Sequence, residues 1–264
     1  MTDETVSNTR KWRWPRRLAL AFVLLYALPL GLSSGAKYVG KAYAVNWWEA
    51  SHDSTNQAPD PATTPEAVVQ VYAARAFGWR GAFGVHTWIA MKPSGADRYT
   101  RLEVMGWGVR HGRPAIRINS RAPDAEWFGS RPEKLVDLRG EDVDDLIEQI
   151  VDAAERYPFP DSYRVWPGPN SNTFTAHIGR EVPALELALP AMAIGKDFLP
   201  DGDIAARTPS GTGFQVSLFG LFGLTLALKE GIEVNMLGLT AGIDVLRPAL
   251  KLPGIGRLGV SNGA

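Results

Sequence analysis

Three side chains in this sequence are of the types that build a hydrolytic site: Ser171 inside GPNSNTF, His86 inside FGVHTWIA and Glu103 inside TRLEVMGW. A hydroxyl becomes a nucleophile when a nearby imidazole takes its proton, and a polar third group orients that imidazole. Pro167, Gly168 and Pro169 predict a tight, rigid turn just before the serine. Asn170, Ser171 and Asn172 are natural N-cap residues, so NTFTAHI is expected to open a short helix. A hydroxyl at a helix start sits among backbone N–H groups that can hold an oxyanion. The plain alternative is that Asn170 or Ser171 caps a helix and nothing reacts.

The elements that must position these groups are legible. Residues 67–77, 81–93, 98–109 and 114–120 read as four short, β-branched strands bounded by Gly, Pro and charged turns, with antiparallel neighbours expected. Alternation along the second strand places His86 with Trp88 on one face and Val85 with Thr87 on the other. A histidine beside tryptophan on a strand is ordinarily a hydrogen-bonded structural residue, and an exposed face accounts for Glu103 equally well. After the strands, Val143, Leu146, Ile147, Ile150, Val151 and Ala154 recur at helical spacing. Acidic residues fill that helix's first turn, Arg156 lies in its last and Pro158 ends it.

The remaining histidines are assigned no chemistry. His52 falls in a solvated segment, His111 in a turn, and His177 lies too far along the expected helix to reach Ser171. No metal-spaced cluster, phosphate loop or dinucleotide fingerprint is present, so no metal and no cofactor is implied.

The chain has 264 residues, with 28 basic and 28 acidic side chains, so no charge excess points to nucleic acid. It has no cysteine, which removes disulfides and thiolate chemistry. Nine Trp and nineteen Pro favour a β-rich, loop-rich fold. Near the N-terminus the basic stretch RKWRWPRR (10–17) precedes an uncharged apolar run (18–36) close to the ~20 residues a bilayer helix needs. We read a retained single-pass anchor with its basic flank in the cytoplasm and the main domain outside. The rival is a cleaved signal, with AYA (42–44) or SGA (34–36) as its site. The polar, Pro-rich segment 51–65 reads as a linker that lifts the domain off the membrane.

Past residue 200 the chain turns apolar and Gly-punctuated. Residues 214–228 are too short and too interrupted for a second membrane helix. Two strands around KEG are expected instead, with Gln215, Ser217, Thr225, Glu233 and Asn235 alternating against an apolar face. Of the surfaces that could cover this face (the main domain, a partner or the bilayer) packing on the domain is expected.

The order VHTW, amphipathic helix, NSNTF resembles the circularly permuted papain-like fold, which includes permuted NlpC/P60 proteins and relatives of lecithin–retinol acyltransferase. There a strand histidine precedes an Asn-Cys-x-x-Phe motif at a helix start. Asn170 and Phe174 match, Ser171 stands at the cysteine's position and His86 matches the base. The resemblance implies Ser171 as nucleophile, His86 as base and Glu103 as orienter. The blocks GWRGAFGVHTWIA, YRVWPGPNSNTF and AIGKDFLP are similar to an uncharacterised bacterial family, domain of unknown function 3750, which implies a shared fold and no activity.

The expected architecture is therefore α+β. Residues 1–40 form the basic segment and transmembrane anchor and 41–66 a linker. Residues 67–200 form a papain-like antiparallel sheet with helices, and 201–264 a β-rich extension. Two functions follow. One is an amide or ester hydrolase or acyltransferase of the cell envelope, anchored in a bacterial inner membrane. The other is a non-catalytic envelope module using the same groove for a peptide, glycan or lipid, with Asn170, Asn172, Trp88, Trp107 and Trp166 as its binding surface.

Overall fold

The computed structural model describes residues 13–39 and 46–259. The candidate cleavage site at 42–44 and the start of the basic stretch lie outside them. The protein is a mixed helix and sheet structure with an N-terminal apolar helix and two antiparallel sheets.

Within the first sheet the order is β4-β3-β2-β1-β5, built from β1 (Ala67–Arg75), β2 (Val85–Lys92), β3 (Thr100–Val104), β4 (Ile116–Asn119) and β5 (Glu133–Gly140). The first four match the expected strands. The fifth, EKLVDLRG, is charged enough to read as loop, yet it pairs antiparallel with β1 along its length. β1 and β2 are buried almost throughout, so both sheet faces are covered. Val69, Val71, Ile89, Leu102 and Val104 point to one face. There they pack on helices α1 (Val143–Glu155) and α2 (Ser171–Glu181) through Ile147, Ile150, Phe174 and Ile178. Val68, Tyr72, Trp88 and Ala90 point to the other face, beneath Tyr99 and Trp127.

The segment expected to be a free linker is docked over that second face. Asp124 receives the Ser54 hydroxyl at 2.7 Å and the Ala58 N–H at 3.2 Å, and Thr55 Oγ1 donates to its carbonyl at 2.8 Å. Side-chain and backbone acceptors on one residue thus satisfy a stretch whose composition alone suggested solvation.

The apolar helix, Trp14–Lys37, is 24 residues long and apolar enough to cross a membrane. It does not stand clear of the domain. Tyr26 donates to Val234 O at 2.9 Å, Ser33 to Gly254 O at 2.9 Å, and Lys37 to Gly78 O at 3.3 Å.

The C-terminal region is one seven-stranded antiparallel meander in chain order: β6 (Ala205–Arg207), β7 (Gly213–Leu218), β8 (Phe222–Ala227), β9 (Gly231–Met236), β10 (Leu239–Asp244), β11 (Ala249–Leu252) and β12 (Gly256–Gly259). Gln215, Ser217, Thr225, Glu233 and Asn235 all point to its buried face. Here the expectation of an apolar face packed on the domain is corrected. The polar face packs on the domain because partners await it there: Lys196 bonds Glu233 at 2.7 Å, and Asn235 bonds Asp197 at 2.9 Å.

Candidate functional site

The helix at the centre of the sequence argument forms as its cap residue dictates. Asn170 is the N-cap of α2, extended at φ −147°, and its Oδ1 accepts from Asn172 N at 2.9 Å and Thr173 N at 3.2 Å. Thr173 Oγ1 completes a capping box by accepting from Asn170 N at 3.2 Å. The Asn170 amide also donates to Val165 O at 3.1 Å and Ile194 O at 3.0 Å. Asn172 donates to Val85 O at 3.0 Å and Ile194 O at 2.8 Å. Thr173 Oγ1 donates to Gly195 O at 2.9 Å. The GVHTW, NSNTF and AIGK stretches, far apart in sequence, therefore meet in one polar knot.

Thr87 completes it. Its hydroxyl lies 3.0 Å from Asn172 Oδ1, 2.9 Å from Thr175 Oγ1 and 3.2 Å from Ser171 O. Thr87 is thus the β2 residue that faces α2. Successive residues on a strand face opposite ways, so His86 points away from Ser171, to the other side of the sheet. Among the described residues Ser171 and His86 share no hydrogen bond, and Ser171 is 3% exposed. Two of the N–H groups that would serve an oxyanion, those of Asn172 and Thr173, are already engaged by Asn170.

His86 has a setting of its own. Its Nε2 lies 3.0 Å from Glu103 Oε2, as the strand register allows, because Trp88 pairs with Glu103 on the same face. Arg101 donates to the same carboxylate oxygen at 2.9 Å and Asn119 to the other at 2.9 Å. Stacking holds the imidazole against Trp127, with ring centroids 3.7 Å apart, and the Arg101 guanidinium lies 4.0 Å from the Trp88 ring centroid. Burial pushes the His86 imidazole below its ordinary pKa despite the Glu103 partner, so it is neutral near pH 7 and Nε2–H donates. Burial alone would raise the Glu103 carboxyl. The bond from His86, the Arg101 charge and the Asn119 amide outweigh burial and hold it at about 2.

The structure therefore joins His86 to Glu103 and leaves Ser171 on the opposite face. Asn170 is engaged by backbone partners, and Asn172 by two backbone carbonyls and the Thr87 hydroxyl. Trp88 is fully buried, stacked on Tyr72 and bonded to Pro123 O at 2.7 Å, so it is core and not a binding surface. Trp107 and Trp166 are exposed, and Trp166 Nε1 donates to Leu237 O at 2.8 Å. His177 Nε2–H donates to Ala153 O at 3.0 Å, a structural role. Strand alternation placed Thr87 opposite His86 in the sequence but gave it no role, and Arg101 and Asn119 were passed over.

A search of curated proteins found no match, and neither did a search of solved structures. A family model does match, over residues 66–198, described as a protein of unknown function, DUF3750. The match takes in the first sheet, both of its helices and the AIGKDF stretch that ties them together, so the chain belongs to the DUF3750 family.

Proposed function

We propose that this chain is a membrane-anchored module of the bacterial cell envelope, on a permuted papain-like scaffold whose former nucleophile position has become structural. The observation that carries the proposal is that Thr87, not His86, faces Ser171. A serine needs a base in reach and donors for the oxyanion. Here the imidazole sits across the sheet, and the cap residue has taken two of the helix-start N–H groups. The basic flank followed by an apolar helix supports a single-pass anchor in the inner membrane with the N-terminus cytoplasmic.

One observation favours a second reading, an amide or ester hydrolase or acyltransferase. His86 and Glu103, 3.0 Å apart, form the base-and-orienter half of a catalytic unit. That reading requires the base and Ser171 to reach the same side of β2. Labelling of the purified full chain with a serine-reactive fluorophosphonate separates the two. No adduct at Ser171 is the result expected of the non-catalytic module. An adduct on Ser171 that disappears in His86→Ala overturns it in favour of the hydrolase.

A further inference from the structure

The C-terminal sheet is built inside out. Across its strands the register aligns Phe214, Leu226, Ile232, Ile243, Leu250 and Leu258 in one row. The next row runs Val216, Leu224, Val234 and Ala241. Both rows point away from the domain, with Phe214 68% and Leu226 52% exposed. From β7 through β11 this face carries no ionisable side chain. The charged and amide groups all occupy the opposite face, where Lys196 bonds Glu233 at 2.7 Å and Lys251 bonds Glu233 at 2.8 Å. A soluble sheet exposed on one side carries the reverse pattern. An apolar surface of this extent marks an interaction site.

The occupant is indicated by the anchor helix, which lies against this same face. Tyr26, midway along the helix, donates to Val234 O in the central strand of the sheet. Leu18, Phe22 and Leu25 face Val234, Ile243 and Leu250 across an apolar cleft of about 750 Å³. The middle of a membrane-crossing helix and the sheet's outer face thus share one depth. Two of the exposed indoles sit toward the helix's two ends. Trp14 is at the start, and Trp79 lies in the turn Gly78–Ala82 that holds Lys37, as residues at the membrane–water boundaries do. The edge strands β6 and β12 are three and four residues long, which keeps unpaired backbone facing lipid to a minimum.

We propose that the outer face of the β6–β12 sheet is a lipid-contact surface, covered by bilayer acyl chains that also fill the cleft between sheet and anchor helix. The sheet and the helix form one membrane-seated unit, and the polar inner face couples that unit to the DUF3750 domain. This goes beyond the non-catalytic reading and does not depend on it, although it does require the anchor.

The absence of native cysteine makes the test direct. Leu224→Cys and Phe214→Cys are compared with Ile118→Cys, a 73% exposed position on the first sheet. Each full-length variant carries an environment-sensitive fluorophore and is reconstituted in phosphatidylcholine–phosphatidylglycerol vesicles, with or without lipid bearing a mid-chain nitroxide. Labels at 224 and 214 are expected to shift to the blue and be quenched several-fold more than the label at 118. Two outcomes overturn the proposal while leaving the anchor intact. In the first, vesicles float with the protein but the 224 and 214 labels respond to aqueous iodide and not to nitroxide lipid. In the second, those labels are shielded from both quenchers and spin labels at 224 couple between copies, so that a second chain covers the face. Failure of the full chain to float with vesicles overturns both the anchor and this surface. None of these outcomes bears on labelling at Ser171.

Discussion

Thr87 Oγ1 lies 3.0 Å from Asn172 Oδ1, and that contact fixes which side of β2 looks at the start of α2. With Thr87 inward toward the helix, His86 is turned to the Trp127 side, where it meets Glu103. The near-isosteric substitution Thr87→Val keeps the packing and removes the hydroxyl. It leaves Asn172 Oδ1 short of a donor in a buried site, at a cost of about 1–3 kcal/mol. Chemical denaturation of the detergent-solubilised chain is expected to show a lower midpoint with an unchanged slope. A variant as stable as the parent would mean the knot does not hold helix to strand.

Gly195 is the knot's tightest point. Its φ is +98°, and a Cβ there would fall 2.5 Å from Asn170 Nδ2. Gly195→Ala must therefore strain the backbone and displace the cap side chain together. Gly95, at φ +70° with open space around it, separates the two effects. Gly95→Ala is expected to cost about 1 kcal/mol, the left-handed penalty alone. Gly195→Ala should cost at least about 1 kcal/mol more, from the disturbed cap. Equal midpoints for the two variants would contradict the cap's role.

Acid should weaken the fold through the His86–Glu103 pair. His86 titrates below its ordinary 6.5 because burial disfavours the imidazolium, so the unfolded chain binds the proton first and stability falls as pH drops below about 6.5. Glu103 titrates at about 2 against an ordinary 4.5. Its contribution is present above 4.5 and is lost as pH falls toward 2, amounting to at most about 3 kcal/mol. Midpoints measured from pH 7 to 3 are expected to decline throughout. Glu103→Gln should be less stable at pH 7, because Arg101 keeps its charge without a carboxylate, and should show a flatter decline below pH 4.5. An unchanged pH profile in Glu103→Gln would show that this carboxylate is not the group being protonated.

Much of this organisation was legible in the residues. Helical spacing with an acidic first turn gave α1, and β-branched runs between Gly and Pro gave β1 to β4. Alternating Gln215, Ser217, Thr225, Glu233 and Asn235 gave two strands around KEG with a polar and an apolar face, which the structure extends to a seven-stranded sheet. Their burial could not be read, because it depends on Lys196 and Asp197, which sit outside the sheet and receive the polar face. β5 was missed because an outer strand tolerates Glu133, Lys134, Asp137 and Arg139, which resemble a loop in composition. The docking of residues 51–65 was missed because one residue, Asp124, supplies most of their acceptors. For the site, residue types suggested a Ser–His–Glu set, and the spacing was compatible with one. The parity of His86 along its strand weighs against it: the neighbouring position, Thr87, is the one that bonds to the helix start.

The most direct test of that parity restores the thiol. Ser171→Cys introduces a single cysteine, so alkylation by iodoacetamide reports on this position alone. An ordinary thiol titrates near 8.5, and one paired with an imidazole titrates several units lower. The expected result is slow alkylation that rises only at alkaline pH and is unchanged by adding His86→Ala, because the imidazole lies across the sheet. Fast alkylation at about pH 5–6, the range of a paired thiolate, that is lost in the double variant would place His86 beside residue 171 and contradict the assignment.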